Sequence, residues 1–374
     1  MKVGIPRELK NNENRVALPP SGVFELIEDG HEVFVETNAG HGSAFEDQDY
    51  RDVGATIVNT PDEIWSQEMV MKVKEPLPEE FKYFHEGLLL FTYLHLANAS
   101  NVAVALQKAG VTSVAYENVK LDNGTLPLLS PMSEIAGRMA TQIGAEFLES
   151  PKGGKGIILS GVPGVRKGHV VIIGGGVAGT NAARVALGLG SRVTVLDVNN
   201  NRLKELDTEF NGRIETLMSN SFNIATQLQT ADLVVGAVLI PGHKAPTLVT
   251  KEMVADMPDK SVVVDIAIDQ GGIFETENKV GTHDDPTYVV NGVTHYAVAN
   301  MPGAVSQTAT IALSNATLPF AKKLVSGPIE DVWAKEPALL RGANTYQGHI
   351  VQESVAEDLD LPYTPLTDLL PKNK

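Results

Sequence analysis

The chain has 374 residues and no cysteine, with 30 Lys or Arg against 46 Asp or Glu, so its formal net charge is −16. This length predicts about two domains, and the absence of cysteine excludes disulfides, thiolate nucleophiles and cysteine-ligated metal sites. The negative field repels phosphate backbones, which favours small-molecule ligands over nucleic acid or an anionic membrane.

The first residues, 1–7 (MKVGIPR), become polar too early for a secretory signal peptide. No stretch reaches the length of about 18 apolar residues that a membrane span requires. We therefore expect a cytoplasmic protein with no membrane partner.

Short β-branched runs bounded by Gly, Pro or Asn alternate with longer segments of helical period. This alternation is typical of an α/β protein with mostly parallel sheets. The predicted strands are residues 31–36, 68–73, 87–96, 169–173, 192–197, 231–235, 261–268 and 295–299.

Two long helices frame the middle of the chain. Residues 130–149 begin with Ser130 as a cap and Pro131 in the first turn, and apolar residues then recur at every fourth position. A second helix is expected at 308–324, after a Pro-Gly step. The Gly/Pro-rich stretch 151–164 looks like a connector. The predicted layout is therefore an inserted domain, residues 129–306, within a discontinuous domain formed by 1–128 and 307–374.

A dinucleotide-binding fingerprint follows the strand at 169–173. Residues 174–179 read GGGVAG, which is G-x-G-x-x-G between a strand and a helix. Gly174 permits the tight turn, Gly176 leaves room for a pyrophosphate, and Gly179 lets the helix approach the strand. The sequence therefore predicts dinucleotide binding in the inserted domain.

The strand at 192–197 ends in Asp197, which lies 18 residues after Gly179. The carboxylate expected near this spacing accepts hydrogen bonds from the adenosine ribose and repels a 2′-phosphate. NAD is therefore the predicted cofactor rather than NADP, although the nearby Arg202 would soften that preference.

Two further side chains stand where predicted strands end. Asp269 follows a buried strand at the edge where open α/β sheets bind ligands, but a loop acid or a helix cap has the same pattern. His95 ends an apolar strand on the same predicted face as Phe91 and Tyr93, as either a core residue or a proton-transfer catalyst. The remaining histidines show no paired metal-binding spacing, so no metal is expected.

Three cations are candidates for binding a small acid. Lys72 and Lys74 share a face of the predicted strand 68–73 and its continuation, and Arg15 lies in a polar loop. They are either ordinary surface cations or a clamp, because Arg matches a carboxylate with its planar fork and Lys adds a point charge.

These motifs resemble the NAD-dependent alanine dehydrogenase family and, more distantly, the NAD-binding subunit of proton-translocating transhydrogenase. The resemblance covers nearly the whole chain and rests on the glycine loop and on residues 11–18 (NNENRVAL), 69–76 (MVMKVKEP), 91–96 (FTYLHL), 130–134 (SPMSE), 265–272 (DIAIDQGG) and 296–303 (YAVANMPG). It implies two Rossmann-like doubly wound domains, with the NAD-binding one inserted into the substrate domain, and a homohexamer.

The resemblance also implies residue roles. Arg15 and Lys74 would bind the substrate carboxylate and carbonyl, His95 would be the acid/base catalyst and Asp269 the second catalytic residue. Asp197 would bind the adenosine ribose, and the cofactor site would further be lined by Ser133, Ser219, Val238, Leu239, Asn300 and Met301. The implied reaction is reversible NAD-dependent deamination of L-alanine to pyruvate and ammonium.

One stretch departs from the family pattern, because residues 306–309 read SQTA where a Pro and a basic residue are expected.

Two alternative functions stay open. One is a related amino-acid or opine-type dehydrogenase that acts on a larger 2-oxo acid, and the other is a catalytically silent NAD-binding module.

Overall fold

The computed structural model describes residues 1–238, 245–277 and 279–371. Its β-strands, in chain order, are β1 Lys2–Ile5, β2 Glu32–Glu36, β3 Thr56–Val58, β4 Met69–Met71, β5 Leu89–Thr92, β6 Thr112–Ala115, β7 His169–Ile173, β8 Arg192–Asp197, β9 Glu215–Met218, β10 Leu233–Gly236, β11 Val262–Asp265, β12 Thr287–Val290, β13 Val293–Tyr296, β14 Ala343–Tyr346 and β15 His349–Ile350.

The α-helices alternate with these strands. They are α1 Pro20–Glu28, α2 Asp47–Asp52, α3 Pro61–Trp65, α4 Ser100–Ala109, α5 Ser130–Phe147, α6 Val177–Gly188, α7 Asn200–Glu209, α8 Ser221–Leu228, α9 Lys251–Ala255, α10 Ser306–Leu324, α11 Ile329–Lys335, α12 Pro337–Arg341, α13 Glu353–Leu359 and α14 Leu366–Leu369. No helix within the described ranges is both long enough and apolar enough to cross a bilayer.

The chain folds into two compact units. Unit 1 contains Met1–Met132 and Val305–Lys374, and unit 2 contains Ser133–Ala304. The chain passes from unit 1 to unit 2 between Met132 and Ser133 and returns between Ala304 and Val305.

The sheet of unit 1 has the strand order β15-β14-β6-β5-β4-β1-β2-β3. Strands β1 to β6 run parallel, and β14 and β15 continue the sheet in antiparallel fashion. Counted along the chain, the parallel part has the doubly wound order 3-2-1-4-5-6, whose direction of winding reverses between β1 and β4. Ligands of open α/β sheets bind at such a reversal, beyond the carboxyl ends of the strands.

The sheet of unit 2 repeats this order. It reads β12-β13-β11-β10-β7-β8-β9, with β12 antiparallel to β13 and the other neighbouring pairs parallel. Here the reversal lies between β7 and β10. The prediction of two doubly wound Rossmann-like domains is confirmed.

Small residues let helices pack closely in unit 2. A Cβ at Gly137 of α5 would overlap the carbonyl oxygen of Ala178 in α6, and a Cβ at Gly144 would overlap the side chain of Leu233 in β10. These glycines weaken a helix by about 1 kcal/mol each relative to alanine, and close packing compensates for that cost.

A buried aspartate connects the stretch that follows α5 to the sheet of unit 2. Asp232, which is fully buried, accepts hydrogen bonds from Lys155 Nζ at 2.8 Å, from Arg166 Nη1 at 2.8 Å and from the His169 backbone N–H at 2.9 Å. These bonds and charges lower the pKa of Asp232 to about 2, although burial alone would raise it.

Several predicted strand boundaries are wrong. The predicted strand 87–96 spans only Leu89–Thr92, 261–268 ends at Asp265, and 295–299 is replaced by Val293–Tyr296. In the first case the apolar run continues past the end of the sheet pairing, so composition does not mark where the strand stops. The predicted strands at 169–173 and 192–197 match β7 and β8.

Candidate functional site

The three fingerprint glycines of unit 2 have three different structural roles. Gly174 has φ +104°, which L side chains rarely adopt. A Cβ at Gly179 would overlap the carbonyl oxygen of Gly174, so this position must be glycine for α6 to approach β7. A Cβ at Gly176, by contrast, would meet no heavy atom within 4 Å. The space above Gly176, at the N-terminus of α6, is therefore open to a ligand.

Asp197 and Arg202 hold the glycine loop from the neighbouring strand and helix. Asp197 Oδ2 accepts from the Gly175 N–H at 2.7 Å, and Oδ1 accepts from the Asn199 N–H at 2.8 Å. Arg202 Nε donates to the Gly175 carbonyl and Nη2 donates to the Thr180 hydroxyl, both at 2.7 Å.

This arrangement fits a dinucleotide. The loop lies at the β7/β10 reversal, α6 presents free N–H groups toward an anion, and a carboxylate stands at the end of β8. Unit 1 has no glycine-rich turn after β1, where the sequence continues as Pro6-Arg7-Glu8. The nucleotide fingerprint thus belongs to unit 2.

The structure places the other predicted cofactor residues within unit 2. Ser219 follows β9 and donates its backbone N–H to the Asp197 carbonyl at 2.9 Å. The Val238 side chain follows β10 and stands 3.1 Å from where a Cβ of Gly174 would be. Ser133 lies in the first turn of α5, and Asn300, with φ +59°, precedes the buried Met301. Leu239 lies outside the described residues.

In unit 1 the predicted substrate residues follow three adjacent strands. Arg15 lies in the segment after β1, Lys74 lies shortly after β4, and His95 lies shortly after β5. Because β1, β4 and β5 are neighbours and parallel, their carboxyl ends meet at one edge of the sheet. That edge includes the β1/β4 reversal, where a ligand of this fold is expected.

Arg15 is buried and its orientation is fixed by Glu13. Its Nε donates to Glu13 Oε1 at 2.7 Å, Nη2 donates to Oε2 at 2.5 Å, and only 2% of the arginine is exposed. Burial alone would lower the pKa of Arg15, but the hydrogen bonds and charge of Glu13 raise it. The surface-cation interpretation of Arg15 is therefore wrong.

The two lysines have different environments. Lys72 is buried between two carboxylates, with Nζ at 2.9 Å from Glu80 Oε1 and 3.3 Å from Glu8 Oε2. Glu8 also accepts from the Val73 N–H at 2.6 Å, which anchors the chain next to Lys74. Burial, followed by the charge of Arg15, lowers the pKa of Lys74. Lys72 is a structural ion-pair partner, and neither lysine lies in β4, contrary to the prediction.

His95 lies beyond β5 in a left-handed conformation, with φ +47°. Glu117 Oε1 accepts from the His95 backbone N–H at 2.6 Å and lies 3.9 Å from Nδ1 of the ring. The imidazole stacks on Tyr93, with ring centroids 5.8 Å apart, and 44% of its side chain is exposed. A buried core role for His95 is therefore wrong, and its ring is accessible for proton transfer.

Asp269 lies in the 3₁₀ helix Ile266–Gln270, directly after β11. This places its backbone at the carboxyl edge of the unit 2 sheet, as predicted. The Asp269 side chain is not among the described parts of the structure. Across the described part of the chain, no group of three or more His, Asp or Glu residues is arranged to hold a metal ion.

Sequence reasoning missed three carboxylates that hold the candidate residues: Glu8, Glu13 and Glu117. Glu13 is two positions from Arg15 in a polar loop, so the short spacing of opposite charges is a local signal that could have identified it. Glu8 and Glu117 reach their partners only through sheet topology, and no local spacing indicates them.

Comparison with protein families agrees with this geometry. Residues 4–136 match the family model "Alanine dehydrogenase/PNT, N-terminal domain", and residues 140–353 match "Alanine dehydrogenase/PNT, C-terminal domain". The chain belongs to the alanine dehydrogenase/PNT family.

Relatives in this family match the chain along its length. It is 60% identical over 370 residues to a protein named alanine dehydrogenase from Staphylococcus haemolyticus (strain JCSC1435), covering 99% of both chains. A solved structure titled L-alanine dehydrogenase matches with TM-score 0.94 at 50% identity, covering 96% of this chain and 99% of that one. A transhydrogenase from Sinorhizobium meliloti matches with TM-score 0.81 at 26% identity, covering 95% of this chain and all of that one.

Proposed function

We propose that the protein is an NAD-dependent alanine dehydrogenase, which reversibly converts L-alanine, water and NAD+ to pyruvate, ammonium, NADH and a proton. The observation that carries this proposal is 60% identity to an alanine dehydrogenase over 99% of both chains. The geometry supports it, because a cationic pair and an accessible imidazole follow adjacent strands of unit 1, and unit 2 has a dinucleotide loop.

Unit 1 is the proposed substrate-binding unit. The Arg15 guanidinium is held by Glu13, which accepts from Nε and Nη2, and by Met132, whose Sδ lies 3.1 Å from Nη1, so a substrate carboxylate would meet a positive charge of fixed position. Lys74 adds a second positive charge for the carboxylate and the developing carbonyl. Its lowered pKa results from burial and from Arg15, and an anionic substrate would stabilise the charged form.

His95 and Asp269 are the proposed acid/base groups. When bound, NAD supplies the acceptor for the hydride from the alanine Cα. His95 takes and returns protons while water adds to the resulting imine carbon and the amine leaves. Glu117 holds the His95 backbone by accepting from its N–H at 2.6 Å, which fixes where the imidazole begins. Asp269 assists His95 as a second general acid/base group while water adds and ammonia leaves.

Unit 2 is the proposed NAD-binding unit. Gly174, Gly176 and the N-terminus of α6 would receive the pyrophosphate, and Asp197 would accept hydrogen bonds from the adenosine ribose. Ser133, Ser219, Val238, Leu239, Asn300 and Met301 complete the proposed cofactor site. Arg202 already donates to Gly175 and Thr180, so it is engaged with the loop and has less freedom to bind a 2′-phosphate.

We also propose that the protein is a cytoplasmic homohexamer that assembles through α5 and neighbouring surfaces. Its native mass in light scattering, compared with 40.0 kDa for one chain, tests this assembly directly. A monomer or dimer at working concentration would contradict it.

Absorbance of NADH tests the proposed activity in both directions. Purified protein should produce NADH from L-alanine and NAD, and should consume NADH with pyruvate and ammonium. Preference for a larger 2-oxo acid in a substrate panel would indicate the related amino-acid or opine-type dehydrogenase. NADH binding without turnover of any substrate would indicate a silent binding module.

A further inference from the structure

A buried carboxylate closes the loop on which Asp269 lies. Asp265, the last residue of β11, is fully buried. Its Oδ1 accepts from the Ala267 N–H at 2.8 Å, and its Oδ2 accepts from the Ile273 N–H at 2.6 Å. One side chain therefore holds both ends of the segment 266–273, which contains the 3₁₀ helix and two consecutive glycines.

Glu277 lies against this carboxylate from the other side of the loop. Glu277 Oε2 and Asp265 Oδ2 both lie next to the position that a Cβ of Gly272 would take, with Asp265 Oδ2 at 3.1 Å from it. Both carboxyl oxygens of Glu277 are buried, and neither has a hydrogen-bond partner of ordinary geometry among the described residues. Glycines make room for the pair. A Cβ at Gly236 would come within 2.6 Å of Asp265 Oδ1, and a Cβ at Gly272 would overlap Glu277 Oε2.

Two buried carboxyl groups in contact do not both ionise, because the like charges repel each other without solvent between them. Burial raises the pKa of Asp265, but two backbone N–H donors oppose that rise and favour the charged form of Asp265 over that of Glu277. Burial, and then the charge of Asp265, raise the pKa of Glu277 to about 10. At neutral pH Glu277 is therefore protonated, which gives this buried carboxyl group an O–H that can donate to the neighbouring Asp265.

We propose that Asp265 and Glu277 form a positioning pair for Asp269. Asp265 fixes the two ends of the 266–273 segment, and Glu277 satisfies and orients Asp265. The inference rests on the proposed function, since it takes Asp269 as an acid/base group. Neither member of the pair touches substrate in this account, and both act through the backbone of the loop.

The test replaces Glu277 with a neutral donor and with a side chain that cannot donate. Glu277→Gln supplies a side-chain N–H that can donate to Asp265, whereas Glu277→Ala removes the side-chain donor and leaves Asp265 with its two backbone N–H donors alone. Because small misplacements of a catalytic group cost up to about 100-fold, Glu277→Ala should lower kcat for alanine about 10- to 100-fold. The Gln variant should retain most of the activity, and NADH affinity should stay close to wild type in both.

Glu275→Ala is the matched control, because Glu275 lies close to Glu277 in the sequence but is exposed, and its carboxylate accepts from the backbone N–H of Lys251 and pairs with the Lys251 side chain. It should leave kcat unchanged. If Glu277→Ala does not fold, as judged by circular dichroism, Glu277→Met replaces it, since methionine fills similar volume without a donor. An unchanged kcat in the non-donor variant, or a Gln variant as impaired as the non-donor variant, would overturn the positioning pair.

Hydrogen exchange separates this inference from the proposed function. The Ala267 and Ile273 amides should exchange faster in Glu277→Ala than in wild type and should stay protected in Glu277→Gln. If the variants differ from wild type in this way but the wild-type protein does not turn over alanine, the proposed function fails while the carboxyl pair stands. If the two amides are equally protected in all variants, the pair does not hold the loop.

Discussion

Gly176→Ala separates cofactor binding from folding more cleanly than other changes in the glycine loop. Gly176 has φ −68° and ψ −163°, a conformation that alanine adopts readily, and a Cβ there would meet no heavy atom within 4 Å. The folded protein should therefore tolerate the methyl group. Its unfolding free energy should stay constant or rise by about 0.4–1 kcal/mol, because alanine restricts the unfolded chain.

The same methyl group would occupy the space assigned to the pyrophosphate. Overpacking of a well-fitted contact costs about 1–3 kcal/mol, which corresponds to a Kd about 5- to 160-fold higher. Titration of NADH by fluorescence or calorimetry measures this change, and thermal unfolding of the same samples measures stability.

Gly188→Ala is the matched control, since it lies at the other end of α6 and a Cβ there also meets nothing within 4 Å. It should leave NADH affinity unchanged. Gly179→Ala should instead destabilise the fold, because its Cβ overlaps the Gly174 carbonyl. Wild-type NADH affinity in Gly176→Ala would refute the assignment of the pyrophosphate to this loop.

Four further predictions follow from individual side chains. Asp197→Ala should relax discrimination against NADP, measured as the ratio of kcat/KM for the two cofactors; an unchanged ratio would remove Asp197 from the ribose site. Arg15→Lys keeps the charge but loses the planar fork, so KM for pyruvate should rise, and an unaltered KM would place the substrate carboxylate elsewhere. His95→Ala should lower kcat about 100-fold or more, while near-normal turnover would exclude it from proton transfer. Burial lowers the pKa of His169 to about 4, so the unfolded chain binds a proton that the folded chain rejects. Stability should therefore fall by about 2–3 kcal/mol as pH drops from 6.5 toward 4. Thermal unfolding of wild type and His169→Gln across that range measures the effect, and a pH dependence that the variant shares in full would contradict it.

The sequence predicts the nucleotide-binding region well because its signals are local. β7 is apolar from Val170 to Ile173 and is followed by Gly174, and β8 ends at Asp197. The G-x-G-x-x-G turn between them leaves little choice of register. Both strands therefore have their predicted bounds. The alternation of strands and helices predicts the parallel sheets, and the family resemblance adds the expectation of a doubly wound order.

The substrate region is less predictable because long-range contacts determine it. The apolar run before His95 predicts a strand, but sheet pairing stops at Thr92 and a left-handed turn follows. Glu117, from beyond β6, stabilises that turn with hydrogen bonds to Leu94 and His95. Burial of Lys72 between carboxylates likewise depends on partners that no local pattern identifies.

The fate of the alanine Cα hydrogen tests the central claim most directly. Purified protein is supplied with L-alanine deuterated at Cα and with unlabelled NAD, and the mass of the NADH formed is measured. The account predicts NADH that carries one deuterium, together with pyruvate and ammonium in equal amounts. Unlabelled NADH, or no NADH while the cofactor is bound, would contradict direct hydride transfer from alanine.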